Sequence, residues 1–105
     1  MEKPGKMITR QEIIQFIRSH KQQLRDTYGV TRIGLFGSYA RNEAKEGSDI
    51  DLTVEIQSSN KYRSFFGLKR HLEKNFNHKV DLGIESTLKP IAKLHILKEI
   101  IYVET

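Results

Sequence analysis

Eight residues in the middle of the chain alternate strictly between polar and apolar side chains. The segment 49–56 reads DIDLTVEI, with apolar residues at the even positions and polar or charged residues at the odd positions. Because successive side chains of a β-strand point to opposite faces, this period predicts a half-buried strand. The strand must lie in a sheet with one covered face, and its other face carries Asp49 and Asp51.

The flanking segments predict helices and short strands in alternation. A capping box at Thr9–Glu12 and apolar residues at helical spacing predict a helix over 9–28, ended by Gly29. The order of elements predicts an α+β fold class, a small mixed β-sheet with helices packed on it. The next predicted elements are a strand over 31–36, one or two helical turns over 39–42, a polar loop over 43–48, a helix over 61–76 and a strand over 79–83. Pro90 then opens a final helix, and its apolar side includes Ile91, Leu94 and Leu97. A closing strand is predicted over 100–103.

Length and composition narrow the class of protein. A chain of 105 residues fits one domain and leaves no room for a second globular unit, so a single domain over 1–105 is expected. It has no cysteine, which excludes disulfides, thiolate zinc sites and cysteine nucleophiles. No apolar run approaches the ~18 residues of a membrane span, and Met1–Arg10 lacks the apolar segment of a secretory signal. We therefore expect a cytoplasmic protein with no membrane contact.

Charge is distributed unevenly along the chain. The net charge is +5, yet residues 31–60 carry three Lys or Arg against five Asp or Glu. Basic flanks attract phosphate-bearing ligands, RNA or an acidic partner. An acidic segment inside a basic chain is suited to binding a cation.

Three aspartates are candidate metal ligands. Asp49 and Asp51 share one strand face with Cα atoms about 6.5–7 Å apart, and a divalent cation such as Mg²⁺ would relieve their repulsion. Asp81 lies on the non-core face of the strand Val80–Leu82 and joins them if the two strands are neighbours. Three carboxylates in one place can hold two Mg²⁺ ions. The alternative is a solvated strand face with two acids and an edge-strand acid beside it.

Gly37 and Ser38 form a candidate phosphate-binding turn. They lie at a predicted strand-to-helix junction, where free backbone N–H groups favour phosphate. Glycine allows close approach of the backbone, and serine adds a hydroxyl donor. The alternative is a turn glycine followed by a helix-capping serine.

These motifs together resemble a known family. Gly37-Ser38, followed after ten residues by Asp49-Ile50-Asp51, is similar to the signature of the DNA polymerase β-like nucleotidyltransferase superfamily. The strings GLFGSYAR (34–41) and SDIDLTV (48–54) resemble its minimal nucleotidyltransferase (MNT) branch, as does the closing segment 90–102. Asp81 matches the third acidic position. One departure is Asn42, where the family commonly has glycine, but asparagine tolerates a left-handed backbone.

The resemblance implies a polymerase β-like nucleotidyltransferase fold and a role for each matching residue. Arg41 would contact phosphate or brace the loop, with an ion pair to a nearby acid as the alternative. Ser48 would cap the entry to the acidic strand or bond to phosphate, and the structural role is favoured. The implied catalytic and Mg²⁺-binding residues are Asp49, Asp51 and Asp81, and the implied ATP phosphate-binding residues are Gly37, Ser38, Arg41 and Ser48.

The resemblance also implies a reaction and a partner. Members of the MNT branch pair with helical HEPN (higher eukaryotes and prokaryotes nucleotide-binding) proteins in toxin–antitoxin systems. The implied function is Mg²⁺-dependent transfer of AMP from ATP to a hydroxyl, a tyrosine, of a HEPN RNase toxin, with this chain as antitoxin in a hetero-oligomer. The alternatives are an antitoxin that neutralises by binding alone and a nucleotidyltransferase that acts on a small molecule or an RNA end. No direct binding of nucleic acid is expected, since RNA-binding motifs are absent.

The histidines add no further candidate metal ligands. The four histidines are scattered, and no pair has the four-residue spacing typical of a helical metal site. His78 is nearest the acidic positions in sequence, three residues before Asp81. We expect all four to be surface or partly packed residues rather than metal ligands.

Overall fold

The computed structural model of the chain describes residues 7–103. The expected single domain over 1–105 thus includes residues 1–6 and 104–105, which lie outside the described residues. The elements are α1 Arg10–Ser19, α2 Lys21–Tyr28, β1 Val30–Phe36, α3 Gly37–Ala40, β2 Ile50–Ile56, α4 Lys61–Phe76, β3 Val80–Ile84, a 3₁₀ turn Glu85–Thr87, α5 Pro90–Glu99 and β4 Ile101–Tyr102.

The strands form one mixed sheet. Their order is β3-β2-β1-β4; β1 runs antiparallel to β2 and β4, and β2 runs parallel to β3. Parallel neighbours need a long crossover connection, and α4 supplies it between β2 and β3. This architecture confirms the predicted α+β class with a small mixed sheet and packed helices.

One face of the sheet is covered by helices. The four apolar residues of β2 are buried, together with the inward residues of α1, α2 and α4. Burial of this apolar set is the main stabilising contribution to the fold. The opposite face of β2 carries Asp51, Thr53 and Glu55. Thr53 is fully buried, whereas Asp51 and Glu55 are partly exposed, so the alternation predicts correctly which face carries the acids. The fully buried members from these elements include Ile13, Ile17, Leu24, Ile50, Leu52, Leu68 and Leu72.

The helix predicted over 9–28 is wrong in one respect, because it is two helices. His20 leaves the helical region at φ −110° and ψ 14°, ending α1 and preceding α2. Its ring Nδ1 lies 2.8 Å from the carbonyl oxygen of Phe16. The side chain therefore competes with backbone N–H groups for this carbonyl, which disturbs the helical hydrogen bonds here. The capping box at Thr9 and the left-handed Gly29 are confirmed as the outer ends.

The short helix after β1 begins earlier than predicted. It spans Gly37–Ala40 rather than 39–42, so the Gly37-Ser38 pair lies inside its first turn. Asn42 follows it with φ 61°, the left-handed conformation that asparagine tolerates.

Helix α5 lies on the surface with its predicted apolar side outward. None of its residues is buried, and Ile91, Leu94 and Leu97 are 72%, 65% and 44% exposed. Its other side faces the cleft described below. Within residues 7–103, every helix is too short or too polar to cross a bilayer.

Candidate active site

The sheet register places two of the predicted acids side by side. Asp51 on β2 and Asp81 on β3 are direct partners in the parallel ladder. Neighbouring strands lie about 4.8 Å apart, and partners in register point to the same face. Asp49 lies just before β2 begins, two residues from Asp51. The strands that carry Asp51 and Asp81 are therefore neighbours, which is the condition for Asp81 to join the other acids.

Gly37 stands directly against Asp51. Phe36, the last residue of β1, is the ladder partner of Asp51, so the chain turns into α3 beside that carboxylate. Gly37 has φ +75°, and a Cβ at this position would lie 2.1 Å from Oδ2 of Asp51. Both the backbone conformation and the close approach require glycine here.

A cleft of about 650 Å³ opens over this point. Gly37, Ser38, Arg41 and Asp51 line this cleft, whereas Asp49, Asp81 and Ser48 are not among the described residues that line it. The wall opposite comes from α5, which sequence reasoning did not assign to the site. The lining residues from α5 are His95, Ile96, Lys98 and Glu99. His95 is thus a histidine at the cleft, whereas the sequence singled out His78 as nearest in position.

The carboxylates disfavour one another's charge. Partial burial, followed by the charges of Asp81 and Asp49, raises the pKa of Asp51 to about 6. Glu99 acts in the same direction, and the nearby Arg41 opposes it. A cation bound here would remove the repulsion and keep Asp51 ionised at neutral pH.

The donor set fits Mg²⁺ that arrives with a phosphate ligand. Mg²⁺ prefers oxygen and commonly takes one or two carboxylates, leaving positions for phosphate and water. Asp51 and Asp81 supply such carboxylates on one face of the sheet. Among residues 7–103, no group of three His, Cys, Asp or Glu side chains is arranged to hold a metal on its own. The three-carboxylate, two-metal site therefore stays a prediction.

The raised pKa of Asp51 has a measurable effect on stability without metal. Folding raises this pKa, so the contribution of the carboxyl to stability is present below about pH 4 and is lost as the pH rises through about 6. Above pH 6 and in the presence of EDTA, the Asp51→Asn variant is expected to have a larger free energy of unfolding than the native chain. Solvent screening reduces this gain to on the order of 1 kcal/mol.

Urea unfolding at pH 4 and pH 7.5 measures this difference. The gain of Asp51→Asn should be present at pH 7.5 and vanish toward pH 4. The matched control is Asp26→Asn on α2, an exposed aspartate that pairs with Gln22 on the surface. An Asp51→Asn effect of equal size at both pH values would contradict the assigned cause.

Arg41 and Glu99 form an ion pair across the cleft. Nη1 of Arg41 donates to Oε1 of Glu99 at 3.0 Å, and Nε donates to Glu43 at 2.9 Å. The backbone N–H of Gly37 donates to Oε2 of Glu99 at 2.7 Å. Partial burial raises the pKa of Glu99, but the hydrogen bonds from Arg41 and Gly37 outweigh it, and the net pKa is lowered. The ion-pair alternative for Arg41 is thus the arrangement observed.

Ser48 has the structural role that the sequence favours. Its Oγ accepts the backbone N–H of Lys45 at 2.8 Å, and its own N–H donates to the Lys45 carbonyl at 2.9 Å. These two bonds close the loop that leads into Asp49 and β2. Ser48 therefore shapes the entry to the acidic strand.

Comparison with known proteins decides the family. Residues 17–104, which include all seven predicted site residues, match the sequence profile of the nucleotidyltransferase domain. The chain belongs to this nucleotidyltransferase family. The minimal nucleotidyltransferase resemblance drawn from Gly37-Ser38 and Asp49-Ile50-Asp51 is confirmed, and the chain is an enzyme of this class.

Individual relatives agree with that assignment. The protein adenylyltransferase MntA of Thermococcus cleftensis is 40% identical over 97 residues, covering 92% of this chain and 98% of that protein. A solved structure described as a minimal nucleotidyltransferase has a TM-score of 0.75 and 32% identity, covering 92% of this chain and 98% of that chain. A Shewanella oneidensis complex of a tri-AMPylated HEPN toxin with an MNT antitoxin shares the fold alone. Its TM-score is 0.61 at 20% identity, covering 87% of this chain and 71% of that chain.

Proposed function

We propose that this nucleotidyltransferase transfers AMP from ATP to a tyrosine hydroxyl of a HEPN-domain toxin and so acts as its antitoxin. The observation that carries the proposal is the in-register pair Asp51 and Asp81, with Gly37 packed against Asp51. Support comes from a relative 40% identical that is named a protein adenylyltransferase. A cytoplasmic location, where ATP is available, is part of the proposal.

The residues divide the work according to their chemistry. Asp49, Asp51 and Asp81 would hold Mg²⁺, and the N–H groups of Gly37 and Ser38 would donate to phosphate oxygens. The chemistry that Mg²⁺ would supply there is charge neutralisation on the phosphates and their orientation for in-line attack.

Asp81 would accept the proton of the attacking hydroxyl. It is the exposed member of the acidic pair, so an acceptor that approaches from solvent can reach it. The hydroxyl oxygen forms a bond to the α-phosphorus, the bond between that phosphorus and the bridging oxygen breaks, and pyrophosphate leaves. Donors at Gly37 and Ser38 would stabilise the charge that develops on the phosphate oxygens.

The HEPN toxin is proposed as the acceptor on the strength of the shared fold and family. The Shewanella oneidensis MNT antitoxin is in complex with a HEPN toxin that carries AMP groups. An acceptor presented by a partner protein would approach from the solvent side, where Asp81 is exposed. The alternatives are neutralisation by binding alone and transfer to a small molecule or an RNA end.

Labelling with ATP distinguishes these functions. The full chain is incubated with Mg²⁺, ATP labelled at the α-phosphate and an extract of its source cells, and Asp51→Asn is the inactive control. The proposal predicts label on a protein, with AMP located on tyrosine by mass spectrometry. Label confined to RNA or small molecules would contradict it, as would protection of cells from the toxin by Asp51→Asn.

A further inference from the structure

The last residue of α5, Glu99, already accepts hydrogen bonds from two donors of the proposed phosphate site, Gly37 and Arg41. Oε2 of Glu99 accepts the backbone N–H of Gly37 at 2.7 Å and a bond from Nη1 of Arg41 at 3.1 Å, and Oε1 accepts from the same Nη1 at 3.0 Å. Gly37 and Glu99 are 62 residues apart in sequence. A negatively charged carboxylate thus occupies the place where a nucleotide phosphate is proposed to bind.

Carboxylate and phosphate oxygens compete for the same donors. Both accept short charge-assisted bonds from backbone N–H groups and from arginine. The single N–H of Gly37 directs one strong hydrogen bond, so a phosphate oxygen that takes it must displace Glu99. We propose that Glu99 is an internal competitor for the nucleotide's phosphates and sets the affinity of the site. This inference rests on the proposed function, since it takes Gly37 to be a phosphate donor.

The surroundings of Glu99 allow it to leave. Its side chain is 24% exposed at the edge of the cleft, so it has a path into solvent. Glu99 also lies close enough to Asp51 for their negative charges to repel each other. A ligand that displaces Glu99 while bringing Mg²⁺ replaces this repulsion with attraction.

Arg41 would stay in place when Glu99 departs. Its Nε bond to Glu43 at 2.9 Å is independent of the Nη1 bonds to Glu99. The guanidinium would then be free to contact the phosphate that replaces the Glu99 carboxylate. A ligand with several phosphates and a bound cation gains most when phosphate replaces the Glu99 carboxylate at Gly37 and Arg41. Competition from Glu99 would therefore weaken the binding of monophosphates more than that of triphosphates.

A pair of matched variants tests this role. Glu99→Gln keeps the shape and removes the charge, whereas Glu43→Gln removes the other acid on Arg41 without touching Gly37. Two probes are titrated into the full chain by isothermal calorimetry. One is inorganic tripolyphosphate in the presence of Mg²⁺, and the other is AMP-PNP in the presence of Mg²⁺. We expect Glu99→Gln to bind both probes about three- to tenfold more tightly, and Glu43→Gln to bind no more tightly than the native chain.

The direction of the change in probe affinity distinguishes two roles of Glu99, competition with phosphate and positioning of Arg41. If Glu99 only holds Arg41 and the α3 turn in position, Glu99→Gln will weaken binding or leave it unchanged, and the inference is overturned. Thermal unfolding checks that each variant is folded, and Glu99→Asp, whose shorter carboxylate cannot reach both donors, should also bind more tightly. If the native chain binds neither probe, the proposed function fails as well. If it binds both and neither Glu99 variant binds more tightly, only the competitor role fails.

Discussion

Asp51→Asn is expected to lower kcat/KM for AMP transfer by about a thousandfold or more, because it removes one of the two in-register carboxylates. The amide keeps the shape of the side chain but is a much weaker ligand for Mg²⁺ and leaves Asp81 without its neighbour. The same substitution should stabilise the metal-free fold, because it removes a carboxylate whose charge is disfavoured by burial and by Asp81. An inactive variant more stable than the native chain would show that the acid is kept for chemistry.

The control for this experiment is Asp26→Asn, on a helix that packs against the opposite face of the sheet. It changes the net charge equally and should leave kcat/KM within about twofold, since surface charges away from the site contribute little. Transfer is measured as label incorporated from α-labelled ATP into the HEPN acceptor. Retention of more than about a tenth of native activity by Asp51→Asn would be incompatible with the assigned role of Asp51.

Gly37→Ala is expected to reduce kcat/KM by about a hundredfold. The new methyl group would lie 2.1 Å from Oδ2 of Asp51, so the carboxylate or the α3 turn must move. Alanine at φ +75° also costs about 1–2 kcal/mol in backbone strain. The two effects together displace a metal ligand and the phosphate donor that faces it.

Gly47→Ala separates the two causes. Gly47 has φ +89°, so alanine is strained there too, but nothing lies within 4 Å of its Cβ position. Both variants should lose unfolding free energy in urea through backbone strain, Gly37→Ala more because of its contact with Asp51, while only Gly37→Ala should lose most of its transfer activity. Equal loss of activity in the two variants would mean that backbone strain, not contact with Asp51, explains the need for glycine.

The sequence was most informative where a local pattern determines the structure. The alternation over 49–56 identifies the covered face of the sheet and the face that carries Asp51. The family resemblance implies that the Gly37-Ser38 turn and Asp51 belong to one site, and the register of Phe36 with Asp51 places the turn beside this acid. These features depend on residues close in the chain or on the antiparallel pairing of two strands that follow one another in sequence.

Long-range pairings could not be predicted in the same way. The adjacency of Asp51 and Asp81 depends on a parallel crossover through α4, which the sequence permits but does not require. The contact of Glu99 with Gly37 joins the last helix to the first strand-to-helix turn, and no local period signals it. The sequence identifies an apolar side of α5 but not the direction it faces, and the structure turns that side outward.

Calorimetric binding of AMP-PNP to the full chain, with Mg²⁺ and then with EDTA, most directly tests whether Asp49, Asp51 and Asp81 form a metal-dependent nucleotide site. Saturable binding should occur with Mg²⁺ and be lost both in EDTA and in the Asp49→Asn/Asp51→Asn variant. Equal affinity in EDTA, or undiminished binding by that variant, would contradict a nucleotide site built on these carboxylates.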